Sequence, residues 1–158
     1  MEETVNGVGE KRKMVRMLDE QTVEVTLPSK IGYERIAMDC SASFAKIIGF
    51  VPERIEDLKT AVSEACLNAI EHGNKGRPEA RVVVTMNFKD NTFTVSVKDE
   101  GEGLEEWPEI PDINEKTNKL ESPRGLGIYL IKQLVDQVDF HKKSNKGHIV
   151  SMVIKLTS

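Results

Sequence analysis

The order of hydrophobic periodicities along the chain narrows its fold more than any other feature. Thr22–Leu27 alternates β-branched and polar residues, as a half-buried strand does. Pro28 and Ser29 end it, and Ser29 is placed to cap the helix that follows. In that helix Tyr33, Ile36, Cys40, Phe44, Ile47 and Ile48 recur at helical spacing until Gly49 and Pro52 break the run. A second helix is expected from about Glu53 to His72. Its apolar stripe is Ile55, Leu58, Val62, Ala65 and Ala69, and Gly73 and Gly76 close it. Arg81–Lys89 and Thr92–Lys98 then alternate faces around Asp90-Asn91, a two-residue hairpin turn. Ile128, Leu130, Ile131, Leu134 and Val138 mark a third helix. Val138–Lys142 and Ile149–Leu156 finish the chain as a hairpin around Lys146-Gly147.

The resulting order is βααββ, a long polar connection, then αββ. Strands do not alternate simply with helices, which disfavours a doubly wound parallel sheet. The order fits an α+β two-layer sandwich instead: a mixed, mostly antiparallel sheet covered on one face by about three helices. A length of 158 residues suits one domain with a real core. Residues 1–20 carry no sustained periodicity and read as a flexible arm, leaving 21–158 as the single folded unit. Glu100–Pro123 is long and polar, with three prolines and Trp107. A connection of that length in a compact domain is usually a functional lid or disordered, here a lid at about 104–124.

Composition excludes several classes of function. Hydrophobic residues make up 39% and charged residues 30%, the profile of a water-soluble globular chain. No apolar run approaches the ~18 residues of a membrane span, and the start of the chain has no signal-peptide pattern, so the expected location is the cytoplasm. A net charge of -4 argues against nucleic acid, because neutralising phosphates needs a basic surface. Cys40 and Cys66 both fall in apolar helical patterns and read as buried reduced thiols. His72, His141 and His148 have no metal-ligand spacing.

Three segments carry chemistry. Glu64 and Asn68 lie four apart on the second helix, so they share a face at the edge of its apolar stripe. A carboxylate there can serve as a general base, and an amide oxygen can hold a hard cation such as Mg²⁺. In the second segment a strand ends at Asp99 and runs into Gly101 and Gly103. Those glycines allow close backbone approach to a ligand, and Asp99 can accept a hydrogen bond from an amino group such as adenine N6. In the third, Arg124-Gly125-Leu126-Gly127 opens a helix, whose N-terminal amides favour phosphate, with Lys116 and Lys119 nearby in sequence. Taken singly, each also reads as a solvated helix face, an acidic turn and an ordinary helix start. There is no GxxxxGK[ST] loop, no GxGxxG after a strand and no GxSxG elbow.

Together and in this order, the three segments resemble the GHKL ATPases, the class of gyrase, histidine kinases and MutL. Glu64…Asn68 is similar to the N box, Asp99-x-Gly101-x-Gly103 to the G1 box, and Gly125-Leu126-Gly127 to the G2 box. Within the class the likeness is to the anti-sigma-factor serine kinases of the RsbW and SpoIIAB type. It is carried by the run Val62-Ser63-Glu64-Ala65-Cys66-Leu67-Asn68-Ala69, the short length, and the first strand leading through Pro28 to a helix bearing Arg35. The likeness covers about Gln21 to Ser158 and implies a Bergerat-type fold binding ATP with Mg²⁺. Asn68 would coordinate the metal, Asp99 would read adenine, and Gly101, Gly103, Arg124, Gly125, Leu126 and Gly127 would shape the lid and hold the phosphates. Glu64 would activate a serine hydroxyl on an anti-anti-sigma (STAS) protein. Arg35 matches a partner-binding position, a sigma factor is the second implied partner, and the family commonly forms homodimers.

Two departures stand out: Ile149 occupies the place where the family has a threonine near the adenine, and the N-terminal arm is long. Rival readings are a non-catalytic switch that uses ATP only as a conformational ligand, the catalytic piece of a histidine kinase, and an ATP hydrolase. Histidine kinases often carry Asn where Glu64 stands, and His72 is a poor phospho-acceptor. The hydrolases use transducer domains that this chain lacks.

Overall fold

The computed structural model describes residues 21–101, 123–142 and 147–157, with the side chains of 123–125 and 142 outside the description. The arm at 1–20, Gly103, Trp107, Lys116, Lys119 and all of the expected lid except Pro123 and Arg124 lie outside the described residues. The elements run β1 (Thr22–Pro28), α1 (Glu34–Ile48), α2 (Pro52–Asn68), a π-helical turn (Ala69–Gly73), β2 (Arg81–Lys89), β3 (Thr92–Lys98), α3 (Pro123–Leu134), β4 (Gln137–Lys142) and β5 (His148–Lys155). The strands form one sheet in the order β1-β2-β3-β5-β4. All four pairings among the described residues are antiparallel, where the sequence predicts a mixed, mostly antiparallel sheet.

Alternation decides which face is buried. Val82, Val84 and Met86 of β2, Phe93, Val95 and Val97 of β3, and Val150, Met152 and Ile154 of β5 all point to the side the helices cover. They meet Leu58, Ala61, Val62, Ala65 and Cys66 of α2, Ala37 and Ala45 of α1 and Ile131 of α3 in one core. The other face carries a polar set, with the Ser96 and Ser151 hydroxyls 2.9 Å apart across β3 and β5. The Asp90-Asn91 turn is as expected. Both residues take positive φ, 53° and 59°, the conformation that matches the twist of a two-residue hairpin.

Two local expectations are corrected. Ser29 does not cap α1. A turn at Lys30–Tyr33 intervenes, Gly32 takes φ 111°, and its N–H donates to the Glu34 carboxylate at 2.6 Å. Ser29 is buried, and its hydroxyl accepts a hydrogen bond from Asn74 instead. The second helix does not continue as an α-helix to His72. It passes at Asn68 into the π-helical turn, where the Asn74 N–H reaches back five residues to the Ala69 carbonyl at 2.7 Å. Such wide turns are frequent at functional sites, and this one directs Gly73 and Asn74 toward the end of β3.

Candidate active site

The site is built along one side of α2 and its π turn. At one end stand Glu64 and Asn68. The four-residue spacing puts them on one face, both half-buried. Gly127 of α3 packs directly over them: a Cβ there would lie 2.9 Å from Glu64 Oε2, 3.5 Å from Asn68 Nδ2 and 3.7 Å from Asn68 Oδ1. The glycine therefore lets the first turns of α3 approach both side chains at once. Among the described residues neither the Glu64 carboxylate nor the Asn68 amide makes a side-chain hydrogen bond with the rest of the protein, so both remain available to a ligand. Burial, with a smaller contribution from the Glu71 charge, pushes the Glu64 carboxyl above its ordinary 4.5. Helix α3 begins at Pro123, so Gly125 and Gly127 lie within its first turns rather than ahead of it. Pro123 suits that first position, where its missing N–H is not needed.

The other end is formed around Asp99, which is 5% exposed. Its Oδ1 accepts hydrogen bonds from the backbone N–H of Gly101 at 2.9 Å and of His148 at 3.0 Å, with His148 Nδ1 at 3.4 Å. Its Oδ2 lies over Gly73, where an added Cβ would overlap Oδ2 and Cγ. Among the described residues that oxygen accepts no hydrogen bond. A buried carboxylate oxygen without a donor is costly unless a ligand supplies one. Gly101 packs on the Gly73 carbonyl and Gly147 on the Asp99 carbonyl, each too close for a side chain. Gly147 takes φ 83° and donates its N–H to the Gly101 carbonyl.

The fold thus brings together Glu64, Asn68 and Gly127, and separately Asp99 and Gly101. Arg35 stands apart, exposed in the first turn of α1 beside exposed Ile36 and Tyr33. The side chain of Arg124 lies outside the description, and Leu126 is half exposed. Ile149 does not face the Asp99 site. It points to the uncovered face of the sheet, opposite Lys98 and His141, and the buried neighbour of Asp99 is His148. The alternation of β5 fixes this: His148 shares the face of Val150, Met152 and Ile154. Sequence reasoning also missed Gly73, Asn74, Gly147 and His148 as parts of the site. The helix-closing Gly73 and the hairpin Gly147 were visible only as turn signals.

The chain's residues 27–154 match the model of the histidine kinase-like ATPase domain. The chain belongs to that family. It is 32% identical over 136 residues to the serine-protein kinase RsbW of Bacillus pumilus, covering 82% of this chain and 83% of the relative. It is 27% identical over 124 residues to the anti-sigma F factor of Anoxybacillus flavithermus, covering 78% of this chain and 85% of the relative. Two solved structures share its fold. One holds the RsbU and RsbW domains of a Mycobacterium tuberculosis protein, with a TM-score of 0.63 at 20% identity over 90% of this chain and 34% of that one. The other is the SiaB–SiaC complex of Pseudomonas aeruginosa, with a TM-score of 0.64 at 15% identity over 98% of this chain and 100% of that one.

The remaining side-chain chemistry is consistent with an ATP-using member of that family. Among the described residues no group of three or more His, Cys, Asp and Glu could hold a metal ion. Cys40 and Cys66 are both free. Cys66 is buried, with its thiol pushed up to about 12 chiefly by that burial, and Cys40 is half-buried. A thiol so held is no nucleophile. No helix among the described residues is long and apolar enough to cross a membrane.

Proposed function

We propose that this chain is an ATP-dependent serine/threonine protein kinase and anti-sigma factor of a bacterial partner-switching module, and that it phosphorylates a serine on a STAS-type anti-anti-sigma partner. The observation that carries the reading is the seating of Gly127 on Glu64 and Asn68. It sets a carboxylate and an amide, neither hydrogen-bonded through its side chain among the described residues, against the start of a helix whose dipole favours phosphate. The kinase name of its RsbW relatives supports the same reaction.

The roles divide along the site. Asp99 Oδ2 accepts from the 6-amino group of adenine, while Oδ1 is tied to the protein. Gly101, Gly103 and the Arg124-Gly125-Leu126-Gly127 run line the phosphates, with about 104–124 as the lid. Asn68 would hold Mg²⁺, which when bound offsets the charge of the phosphates. Glu64 takes the proton of the partner's serine hydroxyl as that oxygen forms its bond to the γ-phosphorus and the bond from the γ-phosphorus to the β–γ bridging oxygen breaks, releasing ADP. A carboxyl whose burial and neighbouring Glu71 favour its protonated form is a stronger base than an ordinary one. Arg35 and its exposed apolar neighbours form part of the surface that meets the protein partners, a STAS protein and a sigma factor. The chain works as a homodimer in the cytoplasm.

The test is mass spectrometry of a candidate STAS protein incubated with ATP, Mg²⁺ and each form of the chain. Glu64→Gln keeps the shape and removes the base, so nucleotide should still bind while phosphoryl transfer falls by roughly 10²–10⁴. Asn68→Ala should weaken Mg²⁺-dependent nucleotide binding as well. Transfer by Glu64→Gln at the wild-type rate would remove Glu64 from the mechanism. A wild type that transfers no phosphate, yet binds a sigma factor more tightly with ATP, would identify a non-catalytic switch.

A further inference from the structure

Asp99 is held in place largely from outside its own strand. The residue after it, Glu100, has three polar groups bonded to the connection between the π turn and β2 or to the first residue of β2. Its N–H donates to Asn74 Oδ1 at 2.7 Å, its carbonyl accepts from Arg77 Nη2, and its carboxylate accepts from the Arg81 N–H at 2.7 Å. Asn74 is 0% exposed, and its amide is occupied on both sides. Besides accepting from Glu100, its Nδ2 donates to Ser29 Oγ at 3.0 Å and to the Arg81 carbonyl at 3.1 Å. Arg77 closes the set, donating from its backbone N–H and from Nε to the Asn74 carbonyl at 3.0 and 3.3 Å.

We infer that Asn74, Arg77 and Glu100 form a clamp that positions the Asp99 carboxylate, and that this clamp sets how strongly the chain prefers a purine bearing a 6-amino group. The inference rests on the reading of Asp99 as the acceptor for that amino group. Two features make the clamp more than general support. Asn74 directly follows Gly73, which lies under Asp99 Oδ2, so one short connection supplies both the floor beneath the carboxylate and the grip on the turn beyond it. The Gly101 N–H that orients Oδ1 belongs to the same turn, so a shift of Glu100 also rotates the carboxylate. A hydrogen bond to a charged acceptor is sensitive to such displacement. Asn74, Arg77 and Glu100 are positioning residues, because each acts through Asp99.

Calorimetric titration of the full chain with ATP, and with purine riboside triphosphate lacking the 6-amino group, tests this. The wild type should prefer ATP by about ten- to a hundredfold, the contribution of one hydrogen bond to a carboxylate. Arg77 has a partly exposed side chain, so Arg77→Ala leaves the core intact. It should cut the preference for ATP by about threefold or more through weaker ATP binding, with the analogue's affinity unchanged within about twofold. Asn74→Asp removes both donations and sets a carboxylate against the Arg81 carbonyl, so it should cut the preference further. If ATP and the analogue weaken in parallel in Arg77→Ala, or its preference stays at the wild-type value, the clamp is only structural and the inference is overturned. If the wild type itself does not distinguish the two nucleotides, the Asp99 reading fails, and this inference fails with it.

Discussion

The two ends of the site are built from different materials. Around Asp99 the walls are backbone: Gly73, Gly101 and Gly147 close in without side chains, and amide N–H groups fix one carboxylate oxygen. Around Glu64 the walls are side chains with no hydrogen bonds to the rest of the described protein, half-buried and covered by one glycine. Backbone donors cannot change rotamer, so the Asp99 end suits recognition of a flat, fixed group. Under-bonded side chains keep their capacity for a charge that develops during reaction, as the chemical end of a transferase requires. The difference predicts that mutations at one end should change binding and at the other should change chemistry.

The largest effect should come from comparing two glycines. Gly73→Ala drives a methyl into the Asp99 carboxylate, which is itself pinned by backbone bonds. Overpacking typically costs about 1–3 kcal/mol of stability, so Tm should fall. The displaced base contact removes about 1.5–3 kcal/mol of binding, so nucleotide affinity should drop about ten- to a hundredfold as well. Gly127→Ala meets Glu64 Oε2 at 2.9 Å, the movable end of a side chain, so it should cost transfer rate far more than affinity. Equal losses of affinity in a titration of both variants would break the comparison.

Asp99→Asn sharpens it further. An amide keeps an oxygen for the Gly101 and His148 N–H groups but turns an NH₂ toward the base, where adenine also presents a donor. ATP affinity should fall about ten- to a hundredfold. The wild type should bind GTP poorly, because guanine offers an acceptor where adenine offers a donor. Unchanged ATP affinity in Asp99→Asn, or equal affinity of the wild type for ATP and GTP, would remove Asp99 from base recognition.

The smallest effects concern the pH dependence that Glu64 sets and its contribution to stability. Its carboxyl is raised above 4.5 first by burial and second by Glu71, so phosphoryl transfer should fail at low pH along a limb lying above the ordinary carboxylate range. Glu71→Gln should move that limb to lower pH, and by less than the whole displacement because burial remains. The same direction has a consequence for stability. A carboxyl raised in the folded state favours folding below its unfolded value, and that contribution is lost as pH rises through the folded value. At neutral pH the ionised Glu64 therefore opposes folding slightly, and Glu64→Gln should raise Tm there while it lowers activity. A lower Tm for Glu64→Gln at neutral pH, or an acid limb that Glu71→Gln leaves in place, would contradict this account.

The sequence by itself determined much of what depends on near neighbours, though not the turn ahead of α1 or the π turn after α2. The i, i+4 spacing joins Glu64 to Asn68, the alternation of β2 and β3 chooses their buried faces, and Asp90-Asn91 sets the hairpin, because each follows from the repeat of a helix or strand. The motif order was enough to place the chain among the GHKL ATPases. Only the tertiary structure decided what meets across long stretches of chain. Gly73 sits under Asp99, Asn74 bonds Ser29 and Glu100, His148 rather than Ile149 faces the acidic residue, and Gly127 covers Glu64. The partners in the Asn74–Ser29 and His148–Asp99 hydrogen bonds stand 45 and 49 residues apart. No local period encodes such pairings. They arise where the π turn, the end of β3 and the start of β5 converge, and the glycines at that junction look like ordinary turn residues until the backbone they admit is in place.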